Sequence, residues 1–167
     1  TVTVNGTTDI DGDPTTKDLF VRDLTIKSGG ALVIPAGKRL RVMGTYKDED
    51  GNGVSGSGML CIDGGFEIPS DGPAVVTVQD FELPPGSSVD VADGKTWAIE
   101  GDLAFGSTDP ASVSGLVELS GSMAQTISGD GATLDELQIS NTAGVTVNDS
   151  LEIQGRLTLD ASTELAM

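Results

Sequence analysis

Apolar residues fall in short pairs spaced i, i+2 along this chain, the period of a β-strand with one buried face. One run has Leu24 and Ile26, then Leu32 and Ile34, then Leu40 and Val42, closing at Gly44. A second has Phe81 and Leu83, Val89 and Val91, Trp97 and Ile99, closing at Gly101. A third has Leu137 and Ile139, Val145 and Val147, Leu151 and Ile153, closing at Gly155. The runs begin at Leu24, Phe81 and Leu137, an almost constant interval. Further strands follow the closing glycines, at Leu103-Ala104-Phe105 and at Leu157-Thr158-Leu159. The opening Val2, Val4 and Gly6 match the close of a run, so the chain enters the pattern in mid-cycle. Gly, Pro, Ser, Asn and Asp interrupt the pattern every eight to twelve residues, and no helix is expected.

Two all-β architectures accommodate such a pattern. In a parallel β-solenoid, short strands stack on the coils above and below and bury their inward Leu, Ile and Val. In a β-sandwich, hairpins would join the strands through two-residue Asn-Gly or Asp-Gly turns. Asn5-Gly6 and Asp93-Gly94 occur, but most gaps are longer and carry a recurring glycine. The regular superrepeat of about 57 residues favours the solenoid. The expected organisation is one elongated domain over 1–167, with blocks at about 20–80, 81–136 and 137–167 and a partial repeat at 1–19. At 20 to 24 residues per coil, the chain makes about seven coils, a rod of roughly 35 Å at the spacing of stacked strands.

Composition narrows the function. Nine basic against 26 acidic side chains leave a net charge of −17, which disfavours nucleic acid, whose phosphates must be met by clustered Lys and Arg. No apolar stretch reaches the length of a membrane span. Histidine is absent, which excludes a histidine base or a histidine-rich metal site. Cys61 is the sole cysteine; no internal disulfide is possible, and Met59-Leu60-Cys61-Ile62 reads as a buried strand. The Gly, Ser, Thr, Val and Asp richness and the surplus negative charge fit an exported protein, so an extracellular location is expected.

The segment Gln125-Thr126-Ile127-Ser128-Gly129 is followed by Leu134, Leu137-Gln138-Ile139, Asn141, Gly144-Val145, Val147, Leu151, Ile153 and Gly155-Arg156-Leu157-Thr158-Leu159. This stretch resembles repeats of bacterial cell-surface proteins, the adhesin-like and autotransporter-like β-solenoids. The resemblance is close over 125–159 and looser over 20–105. It implies fibres, stalks or adhesins at the cell surface, with no catalytic residues to carry over.

Two acidic loops are candidate calcium sites. Asp48, Asp50 and Asn52 alternate as in a D-x-D-x-N-G calcium loop, although Met59 stands where its bidentate Glu is expected. Asp9, Asp11 and Asp13 repeat the alternation, with Pro14 in place of glycine. Trp97, Phe20, Phe66, Phe81 and Phe105 read as core, and Tyr46 as the sole aromatic outside it. The run Lys38-Arg39-Leu40-Arg41 reads as a solvated face, or as a contact for an acidic patch on another copy. No carboxylate pair stands out as an acid–base couple, so no enzyme is expected. The expected function is a structural extracellular subunit assembling head-to-tail into a surface fibre, its partner another copy of itself, joined through Val2, Val4, Leu157 and Leu159. The alternative is an adhesin module binding a surface glycan or other cells.

Overall fold

A computed structural model describes residues 2–9, 18–51, 53–63, 65–106, 112–129, 131–160 and 163–167. It is all-β and holds 21 strands, with no helix among the described residues. In chain order, the first coil carries β1 (Val2–Val4), β2 (Thr7–Asp9) and β3 (Asp18–Val21). The second carries β4 (Leu24–Ile26), β5 (Ala31–Val33) and β6 (Arg39–Val42), and the third β7 (Tyr46–Asp48), β8 (Val54–Ser55) and β9 (Met59–Ile62). Then come β10 (Gly65–Ile68), β11 (Val75–Val78) and β12 (Asp80–Leu83), followed by β13 (Ser88–Val91), β14 (Thr96–Ile99) and β15 (Leu103–Phe105). Beyond these, the first two strands of each coil merge. β16 (Ser112–Leu119) precedes β17 (Gln125–Ser128), β18 (Ala132–Ile139) precedes β19 (Val145–Val147), and β20 (Leu151–Leu159) precedes β21 (Leu165–Ala166).

Every pairing is parallel and joins one coil to the next, so the molecule is a β-solenoid whose eight stacked layers span about seven turns, with three strand positions per layer. Coil length varies only slightly, from the short step between the stacked partners Ala132 and Leu151 to the longer one between Leu103 and Ile127. The third face is an unbroken sheet of eight strands from β3 to β21. The first and second faces are interrupted between the third and fourth coils, where β7 and β8 end their sheets and β10 and β11 open another. Tyr46 meets Phe66 across that break, tilted with ring centroids 5.1 Å apart, and Phe66 in turn meets Trp97 edge-on at 6.2 Å.

The alternation read from the sequence sets which side chains fill the coil. Leu24, Ile26, Leu32, Ile34, Leu40, Val42, Phe81, Leu83, Val89, Val91, Trp97, Ile99, Leu137 and Ile139 are all buried in one continuous core. The interval between runs corresponds to eight strand positions, two and two-thirds turns. The three runs therefore begin on the first, third and second faces in turn, and the spatial repeat is the single coil. Two aromatic assignments need correction. Tyr46 is buried at 4% exposure, because it shares the inward parity of Leu24, its partner in β4. Phe20 is 61% exposed, because Leu19 and Val21 take the inward positions and turn it outward beside Arg41.

Candidate functional site at the open ends of the coil

The four residues expected to form an interface lie at opposite ends of the solenoid. Val2 and Val4 stand on β1, which among the described residues pairs only with β4. Leu157 and Leu159 stand on the second half of β20, which among the described residues pairs only with β18. Val2, Leu157 and Leu159 are 42%, 44% and 49% exposed. Their stacked partners Leu24, Leu137 and Ile139 are nearly inaccessible. Within the stack each inward side chain is covered from both sides, whereas these three are covered by one described coil only. Val4 differs from the other three: it lies in the core at 2% exposure, and what β1 leaves open at that position is its backbone edge. A parallel stack exposes edges of complementary hydrogen-bonding pattern at its two ends, so one end can continue the other.

The acidic loop after β7 folds onto its own backbone. Asp48, buried at 6% exposure, accepts hydrogen bonds from the amides of Asp50 (3.2 Å), Gly51 (3.0 Å) and Gly53 (2.7 Å). Asp50 accepts from the amide of Gly29 at 2.6 Å, and Glu49 from Lys27 Nζ at 2.7 Å and the amide of Ser28 at 3.3 Å. The Lys27 ammonium and the Ser28 amide hold the Glu49 carboxyl below its ordinary value. The loop thus ties the third coil to the turn of the second. Asn52, Asp11 and Asp13 lie outside the described residues, and Asp9 is placed on β2. Among the described residues no group of three or more His, Cys, Asp or Glu gathers as a metal site.

Asp residues at other corners play the same part. Asp23 accepts from the amide of Thr45, Asp80 from that of Asp102, and Asp102 from that of Thr126. A second polar knot is fully buried: Gln125 Oε1 accepts from the Gly121 amide and from Asn141 Nδ2, while Gln125 Nε2 donates to the carbonyls of Ile99 and Gly101. Many carboxylates therefore serve backbone amides, the need that any sharp corner creates.

The basic run forms a belt on the third face, neutralised within the chain. Arg39 reaches over the intervening strand β9 to Glu82 at 3.1 Å and lies 3.9 Å from Asp18; Arg41 pairs with Asp63 at 2.7 Å. Cys61 stacks between Arg41 and Glu82 on the outward side of β9, yet is fully buried. Burial first, and then the Glu82 charge, push its thiol up to about 12. The sequence pattern signalled a buried cysteine but not this cover, which depends on arginines a full coil away.

No helix among the described residues is long and apolar enough to cross a membrane. No family model matches the chain, and no curated protein or solved structure matches it either.

Proposed function

We propose that this protein is a structural, non-enzymatic extracellular subunit whose solenoid ends join head-to-tail into a surface fibre. The observation that carries this reading is the pair of end coils: strand edges with no partner among the described residues, and inward apolar positions about half exposed at Val2, Leu157 and Leu159 where interior coils seal them. Contact between two different ends is heterologous and does not close on itself, so it propagates into a filament. Backbone hydrogen bonds supply the affinity and inward side chains select the register. The acidic sides keep neighbouring fibres apart by repulsion, which salt or calcium relieves. The fold and the resemblance to adhesin-like repeats support the surface setting. The same open edges also suit a stretch of a longer surface adhesin whose adjoining coils cover them.

Electron microscopy of the purified chain tests this, first with calcium and then with chelator. Filaments whose axial repeat matches one subunit, about eight strand spacings, are the expected result. Their loss in chelator adds calcium to the mechanism. Discrete short rods at every concentration under both conditions refute self-assembly.

A further inference from the structure

We infer that the interior break between the third and fourth coils is a docking cleft, where an extended basic segment of a partner protein pairs with the facing edges of β7 and β10. The inference is independent of end-to-end assembly, because paired coils stand on both sides of the break.

On the third face the ladder runs through, β9 pairing with β12. On the first face it stops: among the described residues β7 pairs only with β4, and β10 only with β13. Backbone direction shows which groups are left over. The Thr45 carbonyl accepts from the Leu24 amide, and the Glu49 amide donates to the Ile26 carbonyl. Thr45, Lys47 and Glu49 thus turn towards the second coil, and the amides and carbonyls of Tyr46 and Asp48 face the break. Opposite them, the Ile68 carbonyl accepts from Ala92 in the fifth coil, which turns the amide and carbonyl of Glu67 into the break. Tyr46 and Asp48 are buried, and buried peptide groups call for a hydrogen-bonding partner.

The next corner makes this gap a cleft. From Ile68 to Val76 it is two residues longer than the corresponding corners from Asp48 to Val54 and from Val91 to Trp97. Insertions in a solenoid collect as loops on one face, often the binding face. Here Pro69 to Pro73 stand against the acidic loop of the third coil and enclose about 230 Å³. This wall is held in place, since Gly72 donates to the Pro69 carbonyl at 3.0 Å and Lys95 Nζ to the Gly72 carbonyl at 2.5 Å. The Tyr46 and Phe66 rings meet on the core side, so inward side chains of the occupant must be small.

Charge selects the occupant. Asp48, Glu49, Glu67 and Asp71 line the cleft, with Lys47 as the cation among them. Asp48 and Glu49 serve amides and Lys27, whereas Glu67 and Asp71 are exposed and have no ion pair among the described residues. Lys or Arg at alternate positions of an added strand complements these carboxylates, while its backbone pairs with the edges.

The test is a fluorescent peptide of about six alternating lysine and threonine residues, titrated into the full chain at physiological salt. It should bind, and Glu67→Lys with Asp71→Lys should weaken it by about tenfold or more. The same charge change in the last described coil, Glu152→Lys with Glu164→Lys, should alter affinity by no more than about twofold. All four positions are exposed, so both variants keep the fold. Equal loss from the two variants reduces the contact to net charge and overturns the site. N-methylation of alternate peptide amides should abolish binding, and exchange of the Tyr46 and Glu67 amides should slow about tenfold or more in the complex. A methylated peptide that binds as well, unchanged exchange at both amides, or a parent that does not bind overturns strand pairing in the break.

Discussion

Replacing Asp48 by alanine isolates what the acidic loop does. The carboxylate holds three amides, of which those of Gly51 and Gly53 belong to buried residues, while Asp50 is exposed and its amide can turn to water. A buried donor left without an acceptor costs about 1–3 kcal/mol, so two such donors put the loss for Asp48→Ala at about 2–6 kcal/mol. That is a large part of the roughly 5–15 kcal/mol by which a domain is stable. Asp50→Ala removes a single bond at an exposed amide and should cost under about 1 kcal/mol. Trp97 is the only tryptophan and is fully buried, so its fluorescence reports unfolding in urea. At a slope of about 2 kcal/mol per molar, Asp48→Ala should move the midpoint down by about 1–3 M. The shift should be the same in calcium and in chelator, because the oxygens serve amides. An Asp48→Ala midpoint within about 0.3 M of the parent would falsify the structural role, and a shift seen only with calcium would reassign the carboxylate to an ion.

Three further predictions concern the thiol, alkaline unfolding and the end of the coil. With its pKa near 12 and no exposure, Cys61 should resist thiol reagents at pH 8 and label fully in denaturant; prompt labelling of the native chain refutes the Arg39–Glu82 cover. Because the folded state raises that pKa from an ordinary 9.0, the stabilisation is complete below pH 9 and is lost as pH climbs towards 12. Burial also raises the Tyr46 hydroxyl well above its ordinary value, which adds to alkaline unfolding, so midpoints measured from pH 8 to 11 should fall steadily. Leu157→Lys with Leu159→Lys should cost the single chain no more than about 1–2 kcal/mol, since each leucine is already half exposed. It should abolish filaments, and filaments that persist count against the end contacts.

The strands, their inward parity and the stacking of short coils all follow from local pattern. A period of two is a local property, and pairs such as Leu24/Ile26 or Val89/Val91 are useful only if one face is buried. Local pattern leaves parity open where three apolar residues run together: in Leu19-Phe20-Val21 either set could face inward, and the pairing with Leu40 and Val42 decided that Phe20 faces water. Tyr46 sits beside an acidic loop, and only its register with Leu24 and its contact with Phe66 place it in the core. The carboxylates of Asp48 and Asp50 carried the spacing of a calcium loop, but their partners are amides that only the folded turn brings within reach. The long interval between runs was real and its spatial meaning was not legible, because a chain with three strands per turn shows the same pattern on every face. Only the stacked coils reveal which face each run occupies.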